Sequence, residues 1–115
     1  LSIEQIALHF STGQFEKVYA CFSENITWNI IGENYLAGKK AVMENCEQVA
    51  AYFKTVQTDF KTTGIISKKN RVAIEGSAEF IKDGKTVAFV WACDTYEFTE
   101  DNKLQIINSY CIPKK

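Results

Sequence analysis

After Val56 the chain becomes a succession of four segments rich in β-branched and aromatic residues: "VQTDFKTTGIIS", "RVAIEGSAEFI", "TVAFVWACDTYEF" and "KLQIINSYCI". The polar breaks "KKN", "KDGK" and "TEDN" separate them, which predicts successive antiparallel strands joined in hairpins. No other feature restricts the fold as much, because about half the chain must then lie in one sheet with a face that other elements cover. The only proline, Pro113, falls past the predicted end of the last strand, so no long strand is interrupted.

The first half must supply that cover. In "SIEQIALHF", Ile3, Ile6, Ala7 and Phe10 share one helical face before "STG" breaks the pattern. "QFEKVYACF" repeats the spacing with Phe15, Val18, Tyr19 and Phe22, predicting a second helix. "ITWNII" is a short strand with Ile26, Trp28 and Ile30 on one side, and "GENYLAG" is a glycine-bounded loop. A third helix follows in "KKAVMENCEQVAAYF", where Val42, Cys46, Val49 and Phe53 recur. The expected architecture is α+β, one domain over residues 1–115, with three helices against a mainly antiparallel sheet.

Strand alternation separates two faces. Val72, Ile74, Gly76, Ala78 and Phe80 share the side expected to meet the helices, and the small residues leave room near its middle. Glu75 and Glu79 lie opposite, as a solvated stripe. In the next strand Ala88, Val90, Ala92, Asp94, Tyr96 and Phe98 share one side and Phe89, Trp91, Cys93 and Thr95 the other. Both sides are apolar, so periodicity alone does not orient this strand. Asp94 in its middle is the chemical anomaly: a buried carboxylate is costly unless it is hydrogen-bonded, protonated or used.

Composition narrows the functional classes. Thirteen basic and fourteen acidic residues give a formal charge of −1, and the basic ones scatter, so nucleic acid is not an expected partner. No apolar run reaches the length of a membrane span, and the opening "LSIEQIALHF" lacks the pattern of a signal peptide. Cys21, Cys46, Cys93 and Cys111 form no C-x-x-C pair, and His9 is the only imidazole, so a zinc site is not expected. Their apolar settings fit reduced thiols packed in a cytoplasmic protein.

The order of elements, with "STGQFEKVYACFSENITWNIIG", "GENYLAGKKAV" and "CDTYEFTEDNKL", resembles the nuclear transport factor 2-like superfamily from about Ile3 to Ile112. This group includes SnoaL-like polyketide cyclases and ketosteroid isomerases. The resemblance implies a curved sheet wrapped round the helices on its concave face, a cone with a cavity open at one end, and a homodimer. Asp94 matches the isomerases' protonated aspartic acid, which orients its strand with Ala92, Asp94, Tyr96 and Phe98 inside and Trp91 outside. The isomerases' general base corresponds to Ile30 and their oxyanion tyrosine to Ile6, so their known route is not expected here. The late-strand aspartate of the cyclases and of limonene epoxide hydrolase also has no match, since that region offers Asn108 and Ser109. The only arginine, Arg71, lies in a turn, so the hydrolase's Asp, Arg and Asp set is missing as well.

Asp94 is therefore the expected acid, with Tyr96 or His9 as assistant. The expected ligand wall comprises Trp28, Ile30, Tyr35, Phe80, Ala92, Phe98, Ile107 and Cys111. The opposite face, with Phe89, Trp91, Ile106 and Tyr110, forms an apolar patch suited to a homodimer. Three readings stay open: cofactor-free proton shuffling on a small, largely apolar molecule, binding of such a molecule without turnover, and a dimerisation domain with a filled cone. Each expects neither metal nor organic cofactor.

Overall fold

The computed structural model describes residues 1–115. Helix α1 (Ile3–Ser11) is followed by two short 3₁₀ turns (Phe15–Lys17 and Tyr19–Cys21), then β1 (Phe22–Ile30), β2 (Asn34–Ala37), α2 (Lys39–Phe53), β3 (Gln57–Lys68), β4 (Arg71–Lys82), β5 (Lys85–Phe98) and β6 (Leu104–Pro113). The six strands form one sheet in the order β2-β1-β6-β5-β4-β3. Every neighbouring pair is antiparallel except β1 and β6, which run parallel. Neither helix is long and apolar enough to cross a membrane.

Two α-helices form, not three. The segment expected to be the second helix is short and rich in aromatic and β-branched residues, a poor basis for α-helix. Its apolar residues recur at intervals that also satisfy a 3₁₀ repeat, so Phe15 and Val18 still reach the core through the two tight turns. Phe22, assigned to the same helix by spacing, opens β1. The "GENYLAG" segment likewise holds more structure than a loop. The Ile31–Glu33 turn, with Gly32 at φ 81°, folds Asn34–Ala37 back on β1, a backbone region that favours glycine. Pro113 is the last residue of β6, not beyond it.

The apolar faces read from the sequence do converge. Helix α1, started by a capping box between Ser2 and Gln5, lies over β4 and β5. Helix α2 lies over β1 and β2. Ile6, Ala7 and Phe10 of α1 and Val42 and Cys46 of α2 join Ile26 and Trp28, Val72 and Ile74, Tyr96 and Phe98, and Leu104 and Ile107 in one buried cluster. Both helices thus cover the same sheet face. That face is solid where Tyr96, Phe98, Phe22 and Leu104 meet, and open where Gly76, Ala78 and Ala92 bring small side chains together on paired strands.

Candidate functional site

Asp94 stands at the border between the solid and open halves. Strand pairing sets Ile74 on one side of it and Ser109 on the other. From above, the last residue of α1, Ser11, donates its Oγ proton to Asp94 Oδ2 at 2.8 Å. Ser11 Oγ is also 2.5 Å from Tyr96 Oη. A hydroxyl has a single proton, so with Ser11 donating to Asp94, Tyr96 donates to Ser11. On the other side Trp28 Nε1 donates to Ser109 Oγ at 2.9 Å, and the Ser109 hydroxyl in turn stabilises the Asp94 carboxylate.

Two effects compete at this carboxyl. Burial raises its pKa, while the surrounding Ser109, Ser11 and Tyr96 hydroxyls favour the charged form, and burial prevails. No salt bridge in the protein includes Asp94. Burial and the neighbouring Asp94 charge together push the Tyr96 phenol well above its ordinary range, so Tyr96 remains a neutral hydroxyl.

Beside Asp94 a pocket of about 300 Å³ opens between the helices and the sheet. Its walls are mostly apolar: Phe10, Phe15 and Phe53 from the helical side, Trp28 and Ile30 from β1, and Phe60, Ile74, Phe80, Val90 and Ala92 from the strands. Ser11, Ser109, Cys111, Glu33, Lys61 and Thr62 add polar groups. The volume lies at the lower end of small-molecule sites.

Of the residues proposed from sequence, Asp94, Trp28, Ile30, Phe80, Ala92 and Cys111 line this pocket. Tyr96 is buried and meets it only through Ser11. Phe98 and Ile107 are not in the lining, because they belong to the solid half of the core, where large side chains leave no space. His9 is half-buried and outside the lining. Tyr35 is 61% exposed on β2, and Glu33, two residues earlier in the same hairpin, reaches the pocket instead.

Ser11 was the residue sequence reasoning passed over, although a signal exists: it continues the i, i+4 series of Ile3 and Ala7 on the inward face of α1. Ser109 shares the inward side of β6 with Ile107 and Cys111, as alternation implies, but its place opposite Asp94 is set by the register of the last strand. All four cysteines are free. Burial, with Glu47 adding to it, pushes Cys46 up to about 12, which leaves it an inert core thiol. No three histidine, cysteine, aspartate or glutamate side chains come together as a metal site.

This α+β sheet, with a carboxyl at a pocket under its helices, defines a recognisable class. The model of the SnoaL-like domain matches residues 3–106, and the chain belongs to that family, within the nuclear transport factor 2-like fold. A nuclear transport factor 2-like protein of unknown function from Cytophaga hutchinsonii is similar at 38% identity and a TM-score of 0.85, over 96% of this chain and 100% of that one. An LEH-like epoxide hydrolase from M. tuberculosis shares the fold at 15% identity and a TM-score of 0.72, over 96% of this chain and 82% of that one. So does SalBIII, an epoxide hydrolase/cyclase-like enzyme with a role in pyran ring formation in the polyether salinomycin, at 14% identity and a TM-score of 0.73, covering 96% and 90%. No curated protein matches significantly.

Proposed function

We propose that the pocket binds a small, largely apolar molecule and that Asp94 is its principal polar contact. The supporting observation is a carboxyl set in a mostly apolar wall and held by an ordered chain of hydroxyl donors. Such a group takes a proton from one position of a bound molecule and returns it to another, as in isomerisation, cyclisation or dehydration, without metal or organic cofactor. Trp28 and Phe80 would position the substrate against it, and Tyr96 would act through Ser11. Non-catalytic binding in the same pocket is the second reading. It is favoured by Ile6 and Ile30, which put hydrocarbon where the isomerases carry proton-transfer groups. An open pocket argues against a filled dimerisation domain.

The neutral probe 2-naphthylmethanol tests the binding claim. Calorimetry is expected to give a Kd on the order of 0.1 mM, a modest efficiency for a ligand of this size. Ala92→Trp, which fills the wall next to Asp94, is expected to abolish it. Equal binding by that variant would place the probe elsewhere and remove the main support for the reading.

The same proposal includes a homodimer through the uncovered sheet face. Phe89 and Trp91 stack edge to face there at 5.2 Å between ring centroids. Trp91 and Tyr110 remain 48% and 47% exposed, with exposed Ile112 opposite Trp91, while Ile106 lies further along β6 opposite Glu97. An apolar patch of this kind usually marks an interface. Light scattering of the wild type is expected to give twice the 13.0 kDa chain mass, and Trp91→Asp to weaken the dimer about 100-fold. A folded Trp91→Asp protein that stays dimeric would contradict this arrangement. Four free thiols are consistent with work in a reducing compartment such as the cytoplasm.

A further inference from the structure

The proton order around Asp94 specifies what its ligand must bring. Trp28 Nε1 can only donate, so Ser109 accepts from it and keeps its own proton free for Asp94, its partner across the strands. On the other side Tyr96 donates to Ser11 and Ser11 to Asp94. With Asp94 ionised, every proton in the network therefore runs toward it and it offers the pocket an acceptor with negative charge, a form that a cation bound there would favour against the effect of burial. No lysine, arginine or histidine forms an ion pair with it.

The rest of the pocket is polarised in the same sense. Glu33 also lines the pocket, in the turn after Ile30, and Ile30 pairs with Ser109 on the side of β6 away from Asp94. Lys61, the only lysine in the lining, is on β3, two strands from Asp94, and three residues further along by register. Strand spacing alone separates them by about 10 Å. Around the negative end stand aromatic rings: Phe10 is 5.0 Å from Trp28 and 5.9 Å from Tyr96 between centroids. Phe10 and Trp28 both line the pocket.

We propose that the ligand carries a cationic nitrogen on an apolar body, with the nitrogen against Asp94 and beside the Phe10 and Trp28 rings. This deepens the binding reading above and rests on it. An ammonium group supplies both the donors and the counter-charge that the carboxylate lacks, and aromatic rings around it add cation–π attraction. A ligand presenting only a carbonyl oxygen would meet an acceptor with an acceptor.

Three probes of one shape test this by calorimetry on the wild-type protein: 2-naphthylmethylamine, protonated at neutral pH, neutral 2-naphthylmethanol and anionic 2-naphthoate. The amine is expected to bind about tenfold more tightly than the alcohol, and the carboxylate most weakly. In Asp94→Asn the amine's advantage over the alcohol is expected to disappear while the alcohol still binds. Equal affinities for amine and alcohol, or a preference for 2-naphthoate, would overturn the cationic assignment and leave the apolar pocket standing. Failure of all three to bind would instead overturn the binding reading beneath it.

Discussion

Replacing Phe10 with alanine is expected to cost about 4 kcal/mol of folding stability, within the range for deleting a buried phenylalanine ring. Phe10 is 4% exposed. Its ring meets Phe15 and Trp28 edge to face, each at 5.0 Å, and lies within 6.1 Å of Phe22. It therefore joins α1, which rests on β4 and β5, to the 3₁₀ segment and to β1 on the other side of β6. Domains of this size are stable by roughly 5–15 kcal/mol, so the loss would consume much of the margin. Urea unfolding checks it. Phe10→Leu, which keeps most of the volume, is expected to lose about 1.5 kcal/mol or less. Equal losses for the two variants would show that the ring contacts carry the effect and that retained bulk recovers nothing.

The second large effect is expected at Gly76. A Cβ built there would stand 2.3 Å from the Lys61 carbonyl oxygen, a backbone atom of the paired strand. The approach is close because β3 carries an irregularity: Thr62 pairs with Gly76 and Gly64 with Glu75, leaving Thr63 as the extra residue. A bulge of this type bends its strand. Here it brings Lys61 and Thr62 into the pocket lining beside Gly76 and Ser77. Gly76→Ala must either shift β3 or break the pairing, at an expected cost of about 3 kcal/mol in urea unfolding. Gly84→Ala is the contrasting control: its added methyl meets nothing within 4 Å, although its φ of 76° carries its own backbone strain. A Gly76→Ala protein as stable as the wild type would mean that the bulge relaxes freely.

How much of this was legible in the sequence depends on the reach of each interaction. The faces of α1 and α2 and the alternation in β4 and β5 are local periodicities, and Ile6, Phe10, Val42, Ile74 and Tyr96 lie where they point. Asp94 stood out because a carboxylate in an apolar strand demands an explanation, and the pocket edge supplies one. Residues 14–22 misled because apolar spacing of three or four residues does not separate an α-helix from successive 3₁₀ turns. β2 was hidden because its pairing depends on one turn at Gly32. The Asp94 partners were hidden for a different reason. Ser11 and Ser109 lie 83 and 15 positions from it in the chain, and only the assembled sheet and helix bring them together. Phe98 and Ile107 have the right parity for the pocket but the wrong end of the sheet, and alternation reports only the face.

The parallel pairing of β1 with β6 bears on how the chain is made. Strand β6 lies between the early β1–β2 hairpin and the later β3–β5 meander, and no other strand bridges them. Trp28 pairs with Ile107 across most of the chain's length. During synthesis the hairpin and the meander can each form locally, yet they share no backbone hydrogen bond until Leu104–Pro113 has left the ribosome. Until then β1 and β5 each present an unpaired edge, one beside Ile26 and Trp28 and the other beside Tyr96 and Phe98, so the nascent chain passes through a stage open to mispairing that one late strand brings to an end.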